Sequence, residues 1–522
     1  MPFAWGGNEA DGLKLVSRTR KAGIIASFGY LQFALAFVSG ILLVPFILRR
    51  VGTPTYGLWL ACGDLLAHSA MVDLGVLSVL PWLIAEKDGR QDRAGMRELL
   101  NNALAVALLT SLLYSIVAFC IWKFASNLAQ LGETQRETIV GPLLLVIAAT
   151  ALAFPLRTFS TVLMGLQDVV FTGCVNIGMW ALNICLVVTL LLKGYGLYAL
   201  AAASAFPPLI SSTLCLIRVR MIAPDLLRGW GRPSPPQMFY LIKQGLGTWM
   251  GGFGWAMIAA SDSLIILSVI SPEQVVVYAC TLKLGEILMQ LAWQLSDSGL
   301  VGLAQLYGEG KLERVREVVL SMLRIKLIAA GGVVFILLAF NAVLVSFWVG
   351  VDKFGGYTLN ALLAASVLAL SLTNGLFAPA ATLGSRLQIG VLTLMQGVLN
   401  VALAIPLGYL IGLPGIALAS LCSSLFLSFP FGVRILNSST QLSLAQLWKT
   451  TLLPWLLRIA GLLVLAAIVG FWLPPRAVIL MMVIAPLLGA LYVWHMRPLY
   501  VGLPVPLKVR PWLVRMRLLP QL

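Results

Sequence analysis

The chain has 522 residues, 60% of them hydrophobic and only 11% charged, with a mean hydropathy of +0.94. Soluble domains carry about 25% charged residues, so this composition excludes a single soluble core and calls for lipid as the surrounding solvent. The net charge of +16 lies between apolar runs; it reads as the positive-inside asymmetry of a membrane protein rather than as a nucleic-acid surface, and no nucleic-acid partner is expected.

In chain order, the apolar runs predict helices over 22–48, 55–85, 99–122, 139–163, 170–192, 197–217 and 245–270. Further helices are predicted over 273–303, 325–349, 357–385, 389–412, 414–436, 452–473 and 477–496. The first run has no small-residue cleavage site and is expected to stay as an uncleaved anchor. The seven cysteines all fall in apolar runs without a CxxC pair and read as small hydrophobic filler. With the N-terminus inside, 27 Lys and Arg fall on the inner side and 7 on the outer. That bias predicts a multi-pass protein with both termini cytoplasmic and an even helix count.

The stretch 218–244 is Pro-rich and basic, and reads as a cytoplasmic linker after six helices. The segments on either side repeat. Lys21-x-Gly23 and Lys243-x-Gly245 each open a helix, and Asp73-Leu-Gly75 and Asp297-Ser-Gly299 fall in the helix that follows. Further on, "VLMGLQ" matches "ATLGSR" and "GLYALA" matches "GIALAS", pairing Gly165 with Gly384 and Gly196 with Gly415. Six helices per half give repeats of the same orientation. The expected fold is an all-α polytopic membrane protein of about 14 transmembrane helices. It has an N-terminal lobe 1–217, the linker 218–244, a C-terminal lobe 245–436, and two extra helices with a basic tail over 437–522.

The stretches "LVPFILRRVGTPTYGLWLACGDLL" and "MVDLGVLSVLPWLIAEKDG", the "LMGLQD" turn and "GYGLYALAAA" carry a family resemblance. Over residues 20–435 the chain resembles the polysaccharide flippase family of the multidrug/oligosaccharidyl-lipid/polysaccharide superfamily, whose best-known members are the O-antigen flippases. The resemblance implies a two-lobed bundle around a central cavity in the bacterial inner membrane. It also implies a polyprenyl-diphosphate-linked oligosaccharide as cargo, turned from the cytoplasmic to the periplasmic leaflet. Membrane lipids and other polysaccharide-assembly membrane proteins are the expected partners.

Charges inside apolar runs are the candidate site, because a charge near the bilayer centre costs about 2.5–3.5 kcal/mol on insertion scales. Asp64, Asp262 and Lys283 fall at similar depths, roughly 12–15 Å from the outer helix ends at 1.5 Å per residue, and Glu286 follows one turn beyond Lys283. Lys283 and Glu286 are i,i+3 neighbours on one helix face. Either these four contact cargo or a coupling cation in a hydrated cavity, or they pair to hold helices together. Asp73 and its repeat partner Asp297 fit a gating or packing position near the cytoplasmic mouth. Arg157 and Arg386, near cytoplasmic helix ends, either attract an anionic headgroup or anchor the helices.

Enzyme chemistry finds little support. "GEGK" at 308–311 lacks the earlier glycine of a P-loop. The two histidines are far apart, no metal or cofactor site emerges, and no large outer loop offers the catalytic residues of a glycan polymerase or ligase. An ion-coupled drug or small-molecule antiporter of the same superfamily is the nearer rival; it would favour acidic sites over mixed charge.

Overall fold

The computed structural model describes residues 31, 35, 39, 40, 42–69, 74–128, 133–166, 168–228, 231–297, 299, 300, 303, 306, 307 and 310–500. Among these, every regular element is helical, and twelve helices are long and apolar enough to cross a membrane. The first expected helix lies mostly outside the described residues. The second, expected over 55–85, is interrupted. Thr53–Ser69 (α1) ends, and a new helix, Val76–Gly89 (α2), starts after Leu74 and Gly75, whose φ angles are 52° and 74°. Such left-handed backbone cannot continue a right-handed helix. A side chain at Gly245 would meet the Leu74 carbonyl oxygen at 2.6 Å, so a glycine there lets the chain close on this break.

Two compact units result, 1–52 with 69–246 and 53–68 with 247–522. The first contains α2, Arg93–Leu128 (α3), Glu133–Gly165 (α4), Val169–Leu192 (α5), Leu197–Ile222 (α6) and the first part of Pro235–Ala259 (α7). Leu80 and Ile84 of α2, Leu100 of α3, Leu163 of α4 and Val219 of α6 close into one buried cluster with Leu241. Lipid is as apolar as these side chains, so van der Waals packing holds them rather than the hydrophobic effect. The "EKDGRQDR" exit from α2 is braced by its own charges. Glu86 pairs with Arg90 at 2.8 Å, Lys87 with Asp92 at 2.7 Å and Asp88 with Arg93 at 3.6 Å. Asp92 also accepts from the Gly95 amide at 2.8 Å, capping α3. The Lys87 hydrogen bond, with that amide, holds the Asp92 carboxyl below the usual carboxylate range. The expected linker is tied to α3: Asn101 donates to the Gly231 carbonyl and Asn102 accepts from the Ser234 amide, both at 2.7 Å.

The second unit holds α1, the rest of α7, Ser261–Val269 (α8), Pro272–Asp297 (α9), Leu312–Val349 (α10) and Gly356–Thr382 (α11). Arg386–Ile411 (α12), Leu413–Thr440 (α13), Leu444–Trp472 (α14) and Val478–His495 (α15) complete it. The long α10 stands at its centre. The two extra helices dock on it: Tyr492 of α15 donates to the Ile328 carbonyl at 2.5 Å, and a side chain at Gly470 of α14 would meet the Leu338 carbonyl at 2.0 Å.

The repeat survives in the backbone with a corrected register. Gly196 precedes α6 with φ 53° and ψ −129°, and Gly412 precedes α13 with φ 67° and ψ −144°. Gly196 therefore matches Gly412, not Gly415; both glycines supply a backbone that a side chain would strain. The turns before α5 and α12 also match, the Asp168 amide donating to the Leu163 carbonyl and the Ser385 amide to the Ala380 carbonyl, which sets Gly165 opposite Thr382 rather than Gly384. Gly415 is small for a different reason, since a Cβ there would meet the Leu407 carbonyl at 2.1 Å.

Glycines also set the approach of α7 to α12. A Cβ at Gly254 would meet the Thr393 carbonyl at 2.4 Å, and one at Gly390 the Gly247 carbonyl at 2.2 Å, whereas one at Gly252 meets nothing within 4 Å. Small residues let helix backbones approach closely in lipid. Gly254→Ala is expected to lower stability by about 1–3 kcal/mol through overpacking, read as an earlier thermal transition in detergent. Gly252→Ala should leave the transition unchanged or raise it.

Candidate functional site

Three groups of charged side chains on α8, α9 and α10 of the second unit bear on the expected site. Helix α7 stops at Ala259, and α8 restarts at Ser261 with Asp262 in its first turn, where the helix dipole favours a carboxylate. Tyr278, buried on α9, donates to Asp262 Oδ2 at 2.6 Å. Lys283 and Glu286 follow on α9, paired at 3.2 Å, with 41% and 37% of their side chains exposed. The expected i,i+3 pair is thus present, and Asp262 bonds to an aromatic hydroxyl that the sequence reading had not singled out.

The third group sits at the end of α9. Asp297 is its last residue, and Oδ1 accepts from Lys326 of α10 at 2.8 Å. The sequence analysis expected this helix over 325–349 and did not single out Lys326. Instead α10 starts at Leu312, and the Lys326 side chain is 1% exposed. The reason is periodicity: Val315, Val319, Met322 and Leu323 form one buried face, and Lys326 is the next residue on it. Its ammonium also donates to Asn374 Oδ1 on α11 and lies 5.8 Å from the Trp293 ring centroid. Trp293 is held in turn by Ser371, to which its indole donates at 3.1 Å. One cation thereby joins α9, α10 and α11.

The other sequence-predicted residues are placed unevenly. Asp73 and the Asp64 side chain lie outside the described residues. Arg157 is exposed on α4, with its guanidinium 5.6 Å from the Phe154 ring. Arg386 is exposed as the first residue of α12. In the first unit, Asp168 of the "LMGLQD" turn pairs with Arg218 at 2.8 Å, and Arg218 lies over Phe171 at 5.2 Å. That pair also escaped the sequence reading, because its members are far apart in the chain.

No family model matches the sequence, and no curated protein matches it. Solved structures do. A multidrug resistance MATE family transporter of the MOP superfamily, in an inward-facing conformation, matches with a TM-score of 0.66 at 15% identity, over 79% of this chain and 96% of that one. The fold is that of the MATE transporters. An outward-facing conformation of such a transporter matches with a TM-score of 0.54 at 16% identity, over 80% of this chain and 94% of that one. A MOP superfamily transporter from Pyrococcus furiosus Vc1, described as having a binding pocket of reverse polarity, matches with a TM-score of 0.55 at 16% identity and the same coverage.

Removing one partner of a buried ion pair costs roughly 3–5 kcal/mol, because the other charge stays behind unpaired. Asp297→Asn, which strands the buried Lys326 ammonium, should lower unfolding stability by about that amount, and Asp297→Asn with Lys326→Met should recover most of it. Denaturant titration in detergent checks both; an unchanged single variant would show that the pair does not hold these helices.

Proposed function

We propose that the chain is an alternating-access transporter that moves a polyprenyl-diphosphate-linked oligosaccharide from the cytoplasmic to the outer leaflet of the bacterial inner membrane. Its place is in surface-polysaccharide synthesis, alongside other polysaccharide-assembly membrane proteins. The observation that carries this reading is Lys283, a cation 41% exposed well inside the span Pro272–Gln294. A diphosphate entering a low-dielectric region is strongly penalised without a positive charge to meet it. Lys283 keeps a partly accessible side chain there, while the paired Glu286 offsets the cost of its charge when no cargo is bound.

The MATE fold supports transport by alternating access, since solved members are described in inward- and outward-facing conformations. The sequence motifs resembling the polysaccharide flippases favour the lipid-linked cargo. A second reading, an ion-coupled drug or small-molecule antiporter, draws on the multidrug transporters among the structural neighbours and on the intramembrane carboxylate Asp262. The cationic Lys283 weighs against cationic drugs.

Lys283→Ala should leave expression near normal and stop delivery of glycan to the outer face, measured with labelled lipid-linked sugar. Lys283→Arg should keep part of the activity, since the charge remains although its geometry differs. Full recovery in Lys283→Ala with Glu286→Ala would leave Lys283 a structural partner only and remove its role toward cargo.

A further inference from the structure

We propose that the groove between α12 and the last part of α13 binds one anionic glycerophospholipid, its phosphate on Arg434 and one acyl chain along Val391, Met395 and Phe431. The site is separate from the transport charges and does not depend on the identity of the cargo.

The groove has a volume of about 490 Å³. Its lining is graded along the helices. Gln388 lies two residues from the start of α12 and Ser438 two residues from the end of α13, each roughly 3 Å into the span at 1.5 Å per residue. Arg434 lies six residues from the same end, roughly 9 Å in. Met395 and Phe431 both lie nine residues in, roughly 14 Å. Gln388 and Ser438 therefore stand at the shallow end beside Leu387, Arg434 lies below them next to Ile435, and the deepest part of the wall, Met395 and Phe431, is apolar. The wall reaches about half of a hydrocarbon core roughly 30 Å thick, which is one leaflet.

The layout repeats that of a phospholipid lying along the membrane normal, and charge selects the anionic kind. Arg434 is exposed and makes no hydrogen bond or ion pair with the described residues. Elsewhere in the second unit Lys283 pairs with Glu286, Lys326 pairs with Asp297, and Arg458 donates to the Pro454 carbonyl at 3.0 Å. A guanidinium presents a planar fork suited to bidentate contact with a phosphate, and Gln388 and Ser438 add polar groups at the headgroup level. Basic pockets between helices on the cytoplasmic side recognise anionic headgroups in general, and the charge bias assigns this end to that side. A wall one leaflet deep fits an acyl chain better than a long polyprenyl chain.

The test is native mass spectrometry of the full-length protein from detergent, titrated with dioleoyl phosphatidylglycerol or dioleoyl phosphatidylcholine. The wild type should retain one phosphatidylglycerol adduct in preference to phosphatidylcholine. Arg434→Gln should weaken that adduct about tenfold, the loss of one charge-assisted contact, and Arg434→Lys should weaken it less. Val391→Trp, which fills the groove, should also remove it and stands in if Arg434→Gln does not fold. Equal retention of the two lipids by the wild type would overturn the proposal. So would an unchanged adduct in both Arg434→Gln and Val391→Trp, which would leave Arg434 as a snorkelling anchor. Displacement of phosphatidylglycerol by equimolar polyprenyl phosphate would assign the groove to cargo instead and would equally overturn it.

Discussion

Lipid offers no hydrogen bonds, so every polar group inside the membrane must find its partner within the protein. Lys326 is the severest case: a wholly buried ammonium that is tolerable only because Asp297 and Asn374 accept from it. Meeting that requirement draws together the end of α9, the middle of α10 and the middle of α11. The same rule operates with neutral groups. Asn341 of α10 donates to the Thr281 carbonyl of α9 at 2.8 Å and to Asn360 Oδ1 of α11 at 2.7 Å. Gln396 of α12 donates to Ser424 of α13 at 2.9 Å, and Ser420 of α13 donates to Asn400 of α12 at 3.0 Å. The polar bonds thus set which helices are neighbours, and glycines set how closely they approach.

The proposed function rests where this rule is only partly met. The Lys326 group is closed: its cation is covered and its partners are fixed. Lys283 and Glu286 bond to each other yet keep more than a third of their side chains exposed. Such a pair can be opened by a competing anion at modest cost, whereas opening the Lys326 group leaves a buried charge stranded. Within one unit the protein therefore carries a charge pair built to hold and another suited to respond. Arg434 stands at the far end of this scale, with no protein partner among the described residues and an apolar wall beneath it.

Much of this architecture was legible in the sequence, because helices facing lipid must be apolar over their whole length and the eye finds such runs easily. The Asp-x-Gly pairs were legible as a repeat. Their role was not, because the helix breaks at Leu74–Gly75 and after Asp297 depend on backbone conformation. Lys283 with Glu286 could be read from their spacing on one helix. Asp262 with Tyr278, Asp297 with Lys326 and Asp168 with Arg218 could not, since each depends on how two helices cross. Lys326 did leave a signal: extending the periodicity back to Val315 puts it on the buried face. The charges around it in "LERVREVVLSMLRIK" hid that pattern by resembling a solvated flank. The repeat register slipped for a similar reason, as both positions read only as glycine in sequence, while the structure gives Gly412 a left-handed backbone and packs Gly415 against the Leu407 carbonyl.

The central claim is that a cation inside the membrane serves an anionic, lipid-linked cargo. Reconstitution of the purified protein in liposomes tests it most directly, with a fluorescent polyprenyl-diphosphate oligosaccharide in one set and a cationic dye in the other. The account predicts that the protein speeds movement of the lipid-linked sugar between leaflets and leaves dye uptake at the protein-free rate. Dye transport without any change in leaflet exchange of the sugar lipid would contradict it.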